Sequence, residues 1–164
     1  GHMQGNAEKQ PPLELFYCYA REDLSWRDKL DSHLSALKRL DNLSVWYDGN
    51  IIAGTVWEDE IKAHLNSANI IVLLVSSDFL ASDYCYSIEM QRALERHAEK
   101  TARVIPIVIR PVDWHGAPFS HLQILPEKAK PVTRWNNTDD AFENVAKEIR
   151  KAARDLRSVH KPQP

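Results

Sequence analysis

"NIIVLLVSS" (residues 69–77) decides how the rest of the chain is read. Ile70 to Val75 run without a polar interruption, so both faces of the segment must be covered. That is the pattern of a central parallel strand packed on both sides, and the run is too short for an ordinary helix. Parallel strands need crossover connections, so helices are expected before and after it.

Both flanks supply them. Upstream, "WEDEIKAHLNSA" (57–68) places Trp57, Ile61 and Leu65 four apart, the stripe of an amphipathic helix. Before it, "LELFYCY" (13–19) and "LSVWYD" (43–48) read as strands, apolar and aromatic. Between these strands, Trp26, Leu30, Leu34, Leu37 and Leu40 predict one helix over 21–40. "GNIIAGTV" (49–56) reads as a loop turning at Gly49 and Gly54. Downstream, a helix carrying Glu89 is expected, with Ser82 or Asp83 as its cap. "ARVIPIVIR" (102–110) reads as a fourth strand in spite of Pro106, which lacks a ladder donor. A proline-rich connection (111–127) with one short helical turn leads to "KAKPVTRW" (128–135), a short fifth strand. Phe142, Val145, Ile149, Ala152 and Leu156 mark a closing helix over 138–157, capped by Thr138 or Asp139.

Strands alternating with helices predict an α/β fold: an open, doubly wound five-stranded parallel sheet with helices on both faces. Ligands of such sheets bind beyond the carboxyl ends of the strands, where the strand order reverses. Residues 19–23, 48–57 and 76–89 all emerge at that edge.

The 164 residues suffice for one domain with a full core, here 13–157. Residues 1–12 read as an expression scar (Gly1-His2-Met3) and a flexible lead-in, and 158–164 as the start of a linker to a further domain. A net charge of -2 carries no electrostatic footprint for nucleic acid or an anionic membrane surface. No apolar run is long enough to span a bilayer. Two cysteines, Cys18 and Cys85, make no disulfide framework and read as reduced thiols of a cytoplasmic protein. The histidines lack metal-ligand spacing, so no metal is expected. There is no glycine-rich phosphate loop and no G-x-S-x-G elbow. Phosphorylated receiver domains share this strand order, and Glu22-Asp23, Asp78 and Lys130-Pro131 imitate their acids and lysine. The imitation is faulty, because Lys130 precedes the fifth strand instead of closing it.

Four segments in order resemble the boxes of Toll/interleukin-1 receptor (TIR) domains, bacterial type. "FYCYAREDLSW" (16–26) resembles their first box, with Cys18 where serine is common. "VWYDGNIIAGTVWEDEI" (45–61) resembles the second box and its loop. "SSDFLASDYCYSIEM" (76–90) and "VIPIVIRPVDW" (104–114) resemble the third-strand and fourth-strand segments. The resemblance covers about 13 to 157 and implies a flavodoxin-like TIR fold. It also implies one of two functions. The first is cleavage of NAD+ at the nicotinamide–ribose bond in bacterial immune or stress signalling, with cyclisation of ADP-ribose or base exchange as variants. The second is a non-catalytic scaffold that recruits other TIR domains. NAD+ would be substrate, with no resident cofactor, and self-association with other TIR domains is implied in either case.

Within the resemblance, Glu89 matches the single glutamate of the enzymes. Their W-x-x-x-E is here Cys85-x-x-x-Glu89, with Tyr84 one place before the expected ring. Tyr19, Arg21, Asp48, Gly54, Trp57, Tyr84 and Cys85 are the candidate substrate-binding residues. Each has a plainer reading. The plainer reading of Glu89 is a solvated helix acid paired with Arg92; that of Trp57 is a core stripe residue, which the resemblance shifts toward a pocket wall. Arg21 is equally a solvated turn arginine, and Tyr19 a residue at the core's edge. Cys85 reads as a packing residue rather than a nucleophile, since no histidine is poised to activate it.

Overall fold

The computed structural model describes residues 11–46 and 57–159. Four strands form one parallel sheet: β1 (Leu13–Cys18), β2 (Leu43–Trp46), β3 (Ile70–Val75) and β4 (Arg103–Val108), in the order β2-β1-β3-β4. Among the described residues six α-helices accompany them: α1 (Leu24–His33), α2 (Ser35–Leu40), α3 (Trp57–Ser67), α4 (Ser77–Leu80), α5 (Ile88–Ala98) and α6 (Thr138–Val159). Short 3-10 turns lie at Arg21–Asp23, Asp83–Tyr86, Glu127–Ala129 and Val132–Arg134.

Strand alternation sorts the core into two layers. Leu13, Leu15 and Tyr17 of β1, Ile70, Val72 and Leu74 of β3, and Ile105 and Ile107 of β4 face α1, α2 and α6. Phe16, Cys18, Ile71, Leu73, Val75, Val104 and Val108 face the opposite way, against Leu65 of α3 and Met90 and Ala93 of α5. Every residue of β3 is buried, as its unbroken apolar run requires. The doubly wound sheet with helices on both faces is therefore the observed fold.

The fifth strand is not formed. Residues 128–135 instead contain the two 3-10 turns, with Lys128 and Ala129 both at positive φ. The outer edge of β4 explains this. Its outward-facing positions are Val104, Pro106 and Val108. The Val104 amide donates to His97 Nδ1 at 2.9 Å, Pro106 has no amide hydrogen, and the Val108 amide donates to the Leu125 carbonyl at 2.8 Å. One isolated bridge, Ile107 to Leu125, is all the edge supports. Pro106 thus costs the sheet nothing, because its missing donor points away from β3.

Three other expectations need correction. The helix over 21–40 is broken into a 3-10 turn, α1 and α2, and Leu40 is 82% exposed instead of joining the stripe. The Glu89 helix begins at Ile88 with Ser87 as cap, not at Ser82 or Asp83. α6 extends to Val159, so Ser158 and Val159 are helical rather than linker. Its stripe of Phe142, Val145, Ile149, Ala152 and Leu156 is buried as expected. The helices of the described residues include none long and apolar enough to cross a membrane.

Candidate functional site

The strand order reverses between β1 and β3, so the crevice for a ligand lies beyond their carboxyl ends. A polar network joins residues that follow three of the strands. Asp23, fully buried, follows β1; Ser76 follows β3; Arg110 follows β4. Ser76 Oγ donates to Asp23 Oδ2 at 2.5 Å, and Arg110 Nε donates to Asp23 Oδ1 at 3.0 Å. Arg110 also donates through Nη2 to Asp78 Oδ2 at 2.8 Å. The two carboxylates hold the guanidinium above its ordinary pKa, the Asp78 bond first and the Asp23 bond second. A buried charge is tolerable only when paired and hydrogen-bonded, and Asp23 has both kinds of partner.

Ser76 has a second task. Its hydroxyl accepts from the Phe79 amide at 3.2 Å and caps α4. The chain then passes through the 3-10 turn Asp83–Tyr86 and is recapped by Ser87, whose hydroxyl accepts from the Met90 amide at 3.1 Å. Glu89 is the second residue of α5, half-buried between exposed Ile88 and buried Met90. A carboxylate there faces the positive end of the helix dipole. Among the described residues it has no hydrogen bond or ion pair, and the expected pairing with exposed Arg92 is not formed. Glu89 thus stands in the first turn of α5, its carboxylate uncommitted among the described residues.

The other candidates lie on separate segments of the chain or outside the described residues. Tyr19, just past β1, is half-buried with the Arg27 guanidinium 5.5 Å from its ring centroid. Arg21 is exposed at the start of the first 3-10 turn. Cys85 is buried in the core layer that also holds Cys18 and Met90. Burial pushes the Cys85 thiol up to about 11; burial and then the neighbouring Cys85 push Cys18 up to about 12. Both are neutral thiols at physiological pH, which removes Cys85 as a nucleophile. Trp57 opens α3 and Tyr84 sits in the second 3-10 turn. Asp48 and Gly54 lie outside the described residues.

Sequence reasoning missed Arg110 and the burial of Asp23. The available signal was positional: a charged or hydroxylated residue stands just beyond the ends of three strands. The receiver reading is not supported. Lys130 does not join the acids; its ammonium lies 5.9 Å from the Trp135 ring centroid, and Arg110 holds both Asp23 and Asp78. Among the described residues no cluster of His, Cys, Asp and Glu is fit to hold a metal.

A groove of about 360 Å³ lies elsewhere, along the outer edge of β4, lined by His97, Arg103, Leu125, Glu148, Lys151 and Asp155 among others. Its charges neutralise one another: Arg103 lies 3.8 Å from Asp155, and Lys151 lies 3.2 Å from Glu148. It offers no uncommitted reactive group comparable to Glu89.

Comparison with known proteins agrees with the fold. The chain is 50% identical over 139 residues to the uncharacterized protein y4lF of Sinorhizobium fredii (strain NBRC 101917 / NGR234). The match covers 85% of this chain but spans only 43% of the relative's length. The fold is similar to the crystal structure of the TIR domain of the Toll-related receptor TRR-2 from Hydra magnipapillata. That similarity has a TM-score of 0.50 at 19% identity, covering 83% of this chain and 97% of that one. A profile of the TIR domain matches residues 15–147. The chain belongs to the TIR domain family.

Proposed function

We propose that this TIR domain cleaves NAD+ at the bond between nicotinamide and ribose, with Glu89 as the catalytic carboxylate. The observation that supports the reading is the uncommitted, half-buried carboxylate of Glu89 at the β1/β3 edge, where a doubly wound sheet takes its ligand.

The chemistry asks little more of the protein than one anion. Ordinary glycosidases need two carboxyl groups because a poor leaving oxygen must be protonated. Nicotinamide leaves NAD+ as a neutral base: the C1′–N1 electron pair returns to the pyridinium ring, so no general acid is required. The positive charge passes to an oxocarbenium-like ribose, and a carboxylate held beside it stabilises that charge. Water then adds to C1′ and releases a proton, giving ADP-ribose, nicotinamide and H⁺. Capture of C1′ by a nucleophile of the same molecule would give a cyclic product.

The test is release of nicotinamide from NAD+ by concentrated protein, beside Glu89→Ala and Glu89→Gln. Loss of a preorganised charge partner typically lowers turnover by ~10²–10³. Equal turnover in parent and variants at matched fold content would remove Glu89 from the chemistry.

A second reading, a TIR scaffold that recruits other TIR domains, is favoured by a different observation. Tyr86 and Ile88 flank the start of α5 and are exposed, 56% and 61% respectively. Two large apolar side chains close together at a helix start suit a protein contact. Absence of nicotinamide release, together with self-association that Tyr86→Ser and Ile88→Ser weaken, would favour the scaffold.

A further inference from the structure

We propose that Arg110 is a positioning residue for Glu89, acting through Asp78. The inference rests on the reading of Glu89 as the catalytic carboxylate. It goes beyond that reading in assigning a task to the clasp beneath the site.

Glu89 reaches the ligand edge on a segment that leaves β3 at Val75 and turns three times in short order: α4, the 3-10 turn Asp83–Tyr86, and the start of α5. Buried Phe79, Cys85 and Met90 hold this segment to the core, but apolar burial is not directional. Direction is supplied at its beginning. Ser76 is bonded to buried Asp23, which fixes the exit from β3 relative to β1. Arg110 grips the same Asp23 through Nε and reaches Asp78 of α4 through Nη2. The planar guanidinium therefore sets the spacing between a buried anchor and the more exposed start of the segment. A lysine supplies the charge without the fork, so it cannot fix both distances together.

The two ends of the clasp differ in burial, and this makes the inference testable. The Asp23 side chain is almost wholly buried, so removing Arg110 outright would orphan a charge in the core. The Asp78 side chain is 40% exposed, so its removal leaves the Asp23–Arg110 pair intact. Asp78→Ala releases the segment and spares the core, and Arg110→Lys keeps the charge opposite Asp23. Asp78→Asn retains an oxygen that can accept from Arg110 and serves as the conservative control.

Nicotinamide release and amide hydrogen exchange would be measured on the parent and these three variants. Asp78→Ala and Arg110→Lys are expected to lower kcat about tenfold or more, since small misplacements of a catalytic group are costly. KM should stay within about twofold. Amides from Phe79 to Met90 should exchange faster, and Asp78→Asn should recover part of both effects. A kcat within twofold of the parent in Asp78→Ala, or unchanged protection from Phe79 to Met90, overturns the inference. If the parent releases no nicotinamide, the proposed reaction fails and exchange alone decides the clasp. Faster exchange confined to this segment then upholds it, and unchanged exchange refutes it.

Discussion

Val104 donates its amide hydrogen to Nδ1 of His97 across 2.9 Å, and this bond closes the outer edge of β4. The imidazole must be neutral to accept it. Burial, then the charges of Arg103 and His121, hold the His97 pKa below its ordinary value. An unfolded histidine titrates near 6.5, so acidification protonates the unfolded chain first. The stability that His97 contributes is present above about pH 6.5 and is lost as pH falls toward the lower folded value. Arg103 is itself paired with Asp155 of α6 at 3.8 Å. Denaturant midpoints measured from pH 7.5 to pH 5 should fall more steeply for the parent than for His97→Gln. Equal slopes would show that another group carries the acid sensitivity.

Ser76 and Ser87 each cap a helix, and Ser76 also holds the buried Asp23 carboxylate. Ser87→Ala removes a cap and should cost about 1 kcal/mol, the usual value for such a loss. Ser76→Ala removes a cap and one partner of Asp23, so it should cost clearly more, about 2–4 kcal/mol when an unsatisfied buried acceptor is added. Chemical denaturation of the two variants side by side gives the difference. Equal costs would mean that the Ser76–Asp23 bond adds nothing to stability.

The core layer under α6 predicts a sharp contrast between two residues of the helices packed there. Phe142 is fully buried, with its ring centroid 6.1 Å from Trp26 and 5.7 Å from His33. Phe142→Ala should cost about 3–5 kcal/mol. Leu40 belongs to the apolar stripe read over 21–40 but is exposed, and Leu40→Ser should change stability by no more than about 0.5 kcal/mol. Thermal unfolding distinguishes them. A large loss at Leu40 would indicate that this face is covered in solution.

Turnover per protomer should rise with protein concentration. The half-exposed rim around Glu89 leaves water access to its carboxylate, which weakens charge interactions there. A neighbouring copy seated on Tyr86 and Ile88 would exclude that water. NAD+ turnover across a wide dilution series, with sedimentation alongside, is the check. Constant turnover by a demonstrated monomer would mean that one chain completes the site.

Legibility in the sequence followed the range of the forces. β3, β4 and the stripe of α6 were readable because burial of a continuous or periodic apolar set is a local pattern. The fifth strand was misread because its fate depends on β4. "KAKPVTRW" has strand-like residues, but the edge it would join has its donors used by His97 and Leu125 or missing at Pro106. The start of the Glu89 helix was misplaced because Ser82, Asp83 and Ser87 are all competent caps, and the extended backbone at Ser87 is what selects it. Glu89 was singled out through a family pattern. Arg110 was not, because Asp23 lies 87 residues away and nothing local announces the pair.

The two buried thiols have a practical consequence. Cys18 ends the central β1 and Cys85 sits four residues before Glu89, yet neither presents thiolate to solvent in the closed fold. An alkylating reagent can therefore reach them only during excursions that unseal the layer beneath α5. Their labelling rates are built-in clocks for those excursions. Cys85 should report the breathing of the glutamate-bearing segment, and Cys18 the opening of the sheet itself. Comparing the two clocks would separate local loosening from global unfolding without any substrate, fluorophore or added mutation.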